Sequence, residues 1–220
     1  MKKYLEILKK CDLFCGLGEE NILKMLVCFG ARVEFFDKKY TVFAEGYPAK
    51  YIAILLSGSV QVIQFDYNGN KNILTSVKPS EMFGEAFACA ETALLPVSVV
   101  ANEPSEVMLI EASHILHTCN NNCGFHNQLI YNLMKDLAKK IIMFHRRIEI
   151  TSKRTTRDKL LEYLSFESKR AGKDEFYIPY DRQELADYLE VDRSGLSAEI
   201  GKMRKEGILE SRKNYFKLFL

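Results

Sequence analysis

What the chain lacks narrows its possibilities before any motif is read. Its longest apolar run, Tyr51–Leu56, is six residues, far short of the roughly 20 that a membrane-spanning helix needs. No membrane partner is expected. The N-terminus, M-K-K-Y-L-E-I-L-K-K, starts basic, but Glu6, Lys9 and Lys10 interrupt the apolar stretch that a secretory signal requires. The protein is therefore expected in the cytoplasm. Charge of one sign is not in excess either: the 31 basic and 29 acidic residues divide as 16 against 16 before Thr151 and 15 against 13 from it onward. A net charge of +2 does not by itself call for nucleic acid, so any such partner must be recognised by a specific element.

Catalytic patterns are missing as well. There is no phosphate-binding glycine loop, no Ser-His-Asp order and no pair of carboxylates spaced for acid–base work. A metal oxygenase built on a barrel would need two histidines at i, i+2 on a strand, whereas His114 and His117 stand three apart on an expected helix. An enzyme is not expected. The six cysteines, Cys11, Cys15, Cys28, Cys89, Cys119 and Cys123, are expected as thiols, because no export signal places the chain in an oxidising compartment. The spacings Cys11-x3-Cys15 and Cys119-x3-Cys123 put sulfurs on one helix face but do not match a zinc or iron–sulfur site. Thiol-based redox control stays open.

What is present is ordinary globular material, 47% hydrophobic and 27% charged over 220 residues, enough for one large domain or two small ones. Residues 1 to about 30 read as helical, with Leu5, Leu8, Ile22, Leu23, Leu26 and Val27 at helical spacings. From Arg32 to Ile110 the pattern changes to short strands: R-V-E-F-F, Y-T-V-F, Y-I-A-I-L-L, S-V-Q-V-I-Q-F, N-I-L-T-S-V, P-V-S-V-V-A and E-V-M-L-I. The Asn-Gly pair within Asp66–Asn70 favours a tight hairpin. Many short strands with frequent turns predict a β sandwich or jelly-roll barrel.

A long helix without Pro or Gly follows over 125–150. Its apolar positions Leu129, Leu133, Leu137, Ile141 and Ile148, with Ile130, Met134, Ala138, Ile142 and Phe144, form a stripe too wide for one neighbour. Such a helix covers the barrel on one side and meets a partner helix on the other, which predicts a homodimer. A second domain begins near 151. The fold class expected is α+β, with a barrel domain over 1–124, a dimerisation helix over 125–150 and a separate C-terminal domain over 151–220.

The segment Ile178–Leu209 carries that last expectation. Asp181 with Glu184 three residues on predicts a capping box, and Leu185, Ala186 and Leu189 the inner face of a short helix. Asp192 is a second N-cap after an abrupt turn; the helix it starts buries Leu196, Ile200 and Met203 and stops at Gly207. Two short helices so joined are a helix-turn-helix. Arg193 and Ser194 start the second helix, and Ser197, Ala198, Gly201 and Lys202 lie off its apolar stripe. Small residues let a helix enter the DNA major groove, and an arginine can bond guanine bidentately. The closing I-L-E-S-R-K-N-Y-F-K-L-F-L reads as two strands around Arg212-Lys213-Asn214, a wing whose basic tip reaches phosphate.

In this order the parts resemble the CRP/FNR family of bacterial transcription regulators over nearly the whole chain. The residues that carry the resemblance are G-Y-P-A-K-Y-I-A-I-L-L-S-G-S-V-Q-V (46–62), F-G-E (83–85), P-V-S-V-V-A (96–101) and R-Q-E-L-A-D-Y-L-E-V-D-R-S-G-L-S (182–197). The resemblance implies a cyclic-nucleotide-binding-like barrel, a homodimer, double-stranded DNA with a pseudo-palindromic site, and RNA polymerase as a further partner. It also implies that Arg193 reads a base, that Ser194 and Ser197 lie at the groove, and that Arg182 and Gln183 reach phosphates. Three departures stand out. Glu190 occupies the place of a turn glycine, and Ala198 and Gly201 stand where many relatives carry Arg or another polar residue.

The barrel loop F-G-E-A-F-A-C-A-E-T-A-L-L-P-V-S-V-V-A, 83–101, departs further. In cyclic-nucleotide-binding relatives an Arg-Ser or Arg-Thr near its end pairs with the cyclic phosphate while the Glu holds the ribose. Here Gly84 and Glu85 match, but Leu95 and Pro96 stand at the Arg-Ser positions. Burying a phosphate beside Glu85 without a cation is costly. The expectation is therefore an unknown small-molecule effector, not cyclic AMP, with Gly84, Glu85, Leu95 and Pro96 as its candidate site. Haem is an alternative cofactor that the resemblance brings in, with His114, His117, His126, Cys89 and Met82 as axial candidates. A module of the same fold that no longer binds DNA is the remaining alternative.

Overall fold

The structure, a computed structural model, describes residues 1–65, 67, 71–116 and 125–219. The chain divides into two compact units, Met1–Ala138 and Lys139–Leu220. The Asn-Gly turn, His117 and the pair Cys119/Cys123 lie outside the described residues.

The first unit opens with helical pieces, not one continuous pattern: short 3-10 turns at Lys2–Tyr4 and Asp12–Phe14, α1 over Leu5–Leu8 and α2 over Glu19–Cys28. Gly16, at φ +78, breaks the chain between them. In α2 the inward stripe is Ile22, Met25 and Leu26, continued by Phe29, while Val27, expected inside, points out.

Among the described residues eight strands follow. They are β1 (Arg32–Phe36), β2 (Thr41–Phe43), β3 (Tyr51–Ser57), β4 (Val60–Phe65), β5 (Lys71–Val77), β6 (Met82–Phe83), β7 (Ser98–Ala101) and β8 (Ser105–Glu111). They form two four-stranded antiparallel sheets in the orders β1-β8-β3-β6 and β2-β7-β4-β5. The two-residue strand β6 was too short to show a pattern in sequence. Ala53, Leu55, Phe83, Val107 and Leu109 of one sheet meet Val60, Val77 and Val99 of the other to fill the barrel.

The alternate residues of β3 and β8, namely Ile52, Ile54, Leu56, Met108 and Ile110, face a second core. The N-terminal helices, α4 (Ala112–Leu116) and the start of α5 (His126–Thr151) complete it. A strand buried on both faces has no polar side to show, which is why Y-I-A-I-L-L reads as an unbroken apolar run. One polar residue ties this layer together. Asn132 of α5 donates from Nδ2 to the carbonyls of Leu13 and Cys15 at 2.9 and 2.8 Å, and accepts from Gln128 at 3.0 Å.

The second unit contains the end of α5, α6 (Thr156–Ala171), α7 (Arg182–Leu189), α8 (Arg193–Lys205) and the sheet β10-β11-β9, made of β9 (Glu175–Tyr177), β10 (Leu209–Arg212) and β11 (Tyr215–Leu218). Its core gathers Ile150, Leu160, Leu164, Phe176, Leu185, Leu196, Ile200, Met203 and Phe216. The α+β class, with sandwiched sheets, long helix and C-terminal helix-turn-helix, is thus observed.

Candidate nucleic-acid interface and barrel site

The helix-turn-helix is built by its caps. Asp181 accepts the Glu184 amide at 2.8 Å while the Glu184 carboxylate accepts the Asp181 amide at 2.8 Å, closing the capping box at the start of α7. Asp192 accepts the Gly195 amide at 2.8 Å and the Ser194 hydroxyl, and these bonds, the hydroxyl's foremost, hold its carboxyl below its ordinary range. At the far end of α8 the Ile208 amide returns to the Met203 carbonyl at 3.0 Å across Gly207, at φ +73. That is the six-to-one bond of a Schellman stop.

Between α7 and α8 the chain turns through Glu190, at φ 54 and ψ 54. The Val191 amide bonds Ala186 O at 3.0 Å, so Glu190 fills the position where glycine is unstrained. A side chain in this left-handed region costs about 1 kcal/mol relative to glycine. The turn is braced from outside: Lys159 of α6 donates to the carbonyls of Leu189 and Glu190 at 3.2 and 3.3 Å. Arg147 of α5 stands 3.6 Å from the Glu190 carboxylate. An ion pair as exposed as this one contributes roughly 0.2–1 kcal/mol.

With Leu196, Ile200 and Met203 buried, α8 turns Arg193, Ser194, Ser197, Ala198, Lys202 and Lys205 outward. Lys202 is paired only loosely, 3.6 Å from Glu199, with its side chain 68% exposed. Gly201 is informative. A Cβ added there would meet nothing within 4 Å, yet glycine inside a helix costs about 1 kcal/mol relative to alanine. None of the described residues requires it, whereas a surface approaching closely would. Gln183 is exposed and donates to Asp187 at 2.9 Å. Arg182 is placed differently from a free phosphate ligand: half-buried against the Phe216 ring, it donates to the Lys213 carbonyl at 3.4 Å, and burial lowers its pKa. It braces the wing tip, where Lys213 takes φ 54. Sequence reasoning passed over Lys205, which continues the Ser194–Ala198 face of α8 at helical spacing, and the brace residues Arg147 and Lys159, which carry no local signal.

Along α5, Met134, Ala138, Ile141, His145 and Ile148 are exposed at alternating spacings of four and three. This is the spacing of a coiled-coil seam. Tyr131, Ile142 and Phe144 widen the exposed apolar face.

The barrel loop is closed. Gly84, at φ +80, starts α3 (Glu85–Cys89), and a Cβ there would fall 2.9 Å from the Phe43 ring and 3.0 Å from Tyr51 O. Glu85 is 4% exposed, and burial, with the Glu85 charge second, raises the Cys89 thiol pKa. Leu95 is strapped to the neighbouring segment, its amide donating to Tyr47 O at 2.8 Å and its carbonyl accepting from Gly46 at 2.9 Å. The cavity beside it, lined by Phe43, Pro48, Ala49, Lys50, Tyr51 and Leu95, holds about 10 Å³, the space of roughly one water. Of the four candidate effector residues only Leu95 lines it; Glu85 is buried elsewhere and Pro96 is exposed. Among the haem candidates, His114 Nδ1 and His126 Nε2 each bond a backbone carbonyl, of Phe29 at 2.8 Å and of Ile115 at 2.7 Å. Met82 is buried and Cys89 half-buried. Among the described residues no three His, Cys, Asp or Glu are grouped to hold a metal, and no helix is long and apolar enough to cross a membrane.

Residues 33–122 match the family profile of the cyclic nucleotide-binding domain, and residues 158–218 that of the Crp-like helix-turn-helix domain. The chain belongs to the CRP/FNR family of transcription regulators. A curated relative, the CRP-like cAMP-activated global transcriptional regulator of Mycobacterium tuberculosis (strain H37Rv), is 38% identical over 80 residues, 36% of this chain and 35% of that protein. The match thus spans about a third of the relative's length. Among solved structures, the c-di-GMP responsive global regulator CLP of Xanthomonas campestris superposes with a TM-score of 0.59 at 18% identity, covering 90% of this chain and 98% of that one. The catabolite activator protein of Thermus thermophilus gives 0.52 at 19%, covering 94% and 93%. At such identities these two structures establish the fold of this family member.

Proposed function

We propose that this CRP/FNR member is a cytoplasmic, sequence-selective DNA-binding regulator. It works as a homodimer, with one α8 per half-site of a two-fold related site, and its barrel answers to a signal other than a cyclic nucleotide. Its activity is binding, not catalysis. The outward face of α8 carries the DNA reading: Arg193 at the start, small residues along the middle, Lys202 and Lys205 at the end, and a glycine that no internal contact requires. The exposed seam of α5 supports pairing with a second copy.

The signals named for the relatives, cAMP and c-di-GMP, are anionic phosphodiesters. A site for a ligand of that size needs roughly 300 Å³ or more. Here about 10 Å³ remains beside Leu95, and the lining cation, Lys50, is exposed.

The test is a selection from random-sequence DNA with the full chain, followed by gel shifts of the selected duplex across a salt series. Selective retardation that weakens steeply with salt is expected. No selective shift under reducing or oxidising conditions would overturn the DNA reading. Titration with cyclic AMP and with cyclic di-GMP should give no heat; micromolar binding of either would refute the sensor reading.

A further inference from the structure

Glu190, in the turn between α7 and α8, occupies a left-handed position where glycine is relaxed, and its side chain does not make up the difference in stability. Its side chain is 60% exposed and its carboxylate stands 3.6 Å from Arg147, a pair too well solvated to outweigh the left-handed backbone. Stability therefore does not account for a glutamate here, whereas a requirement on where the turn is held does. Arg147 lies one turn from the end of α5, the element shared by both compact units. Its guanidinium also lies 5.7 Å from the Tyr188 ring centroid, on the last turn of α7. The adjacent Arg146 bonds Glu162 and covers Phe166 instead, so neighbouring arginines of α5 hold different helices. Two residues beyond Glu190 comes Asp192, the N-cap that starts α8.

We propose that the Arg147–Glu190 pair is the positioning link through which α5 sets the α7–α8 turn, and with it the angle at which α8 meets its half-site. A displacement of α5 then reaches Arg193 through Glu190 and the Asp192 cap, without unfolding either helix. This rests on the DNA-binding reading above.

The experiment compares the full-length parent with E190G, E190Q, R147Q and the double variant R147Q/E190Q. Affinity for the duplex the parent selects from a random-sequence pool is measured by fluorescence anisotropy, and each protein is melted. E190G should melt at or above the parent temperature, because the backbone strain is relieved, yet bind about tenfold more weakly. E190Q and R147Q should each weaken binding by a similar factor, and the double variant no more than either alone. An E190G variant that binds as tightly as the parent overturns the proposal, as does a double variant whose loss is the product of the single losses. A parent that selects no duplex brings down the DNA reading and this link with it.

Discussion

If α8 reads DNA as proposed, replacing Arg193 by alanine isolates base reading from everything else the helix-turn-helix does. Arg193 is exposed at the first position of α8, beyond the Asp192 cap. Its removal leaves no cavity and takes a cation away from a helix N-terminus, where positive charge is unfavourable. The melting temperature should therefore stay put or rise slightly. On DNA the cost is large: a bidentate arginine–guanine contact discriminates by about 1–3 kcal/mol, and a dimer on a two-fold site uses two. The expected loss is about 2–6 kcal/mol, or roughly 30-fold to 10⁴-fold in affinity at 1.4 kcal/mol per factor of ten. Fluorescence anisotropy over a salt series separates this from lost phosphate contacts. Arg193→Ala should shift the log–log line while keeping its slope, whereas Lys205→Ala, if that ammonium meets phosphate, should flatten the slope by about 0.9 per contact. A variant that keeps the affinity and base preference of the parent would refute the assignment of α8 as the reading helix.

Four further outcomes are expected. Ile148→Glu and Ile141→Glu place a charge in the exposed seam of α5 and should convert a dimer to monomer in sedimentation equilibrium; an unchanged mass would exclude this helix as the interface. Asn132→Leu removes the donors to the Leu13 and Cys15 carbonyls and should destabilise the chain by about 2–4 kcal/mol in denaturant titration. Gly201→Ala should stabilise by up to about 1 kcal/mol, since the added methyl meets open space; a loss of stability would show that the glycine is needed inside the fold. The lowered pKa of Asp192 gives stability that is present above its ordinary value of 3.8 and lost as pH falls through its folded value below that. Melting curves of the parent should fall below pH 3.8 more steeply than those of Asp192→Ala.

Much of this architecture is legible along the chain because its causes are local. The Asp181–Glu184 box, the Asp192 cap, the Gly207 stop and the Leu196/Ile200/Met203 stripe each lie within a turn or two of sequence, so the helix-turn-helix can be written down before any coordinate is known. The same holds for the alternating strands and the width of the α5 stripe. The N-terminal helical pieces were less legible, since Val27 fits a helical period as well as Met25 does and only the position of the barrel decides which is covered. Tertiary structure alone decided three things. It showed that β3 is buried on both faces, because the covering helices come from the N-terminus and from α5. It left a cavity of about 10 Å³ beside Leu95, lined in part by Phe43 and Tyr51, which lie some forty to fifty residues before Leu95 in sequence. And it turned Glu190 from an oddity in a turn into the partner of Arg147, a contact that spans 43 residues of chain and that no local pattern encodes.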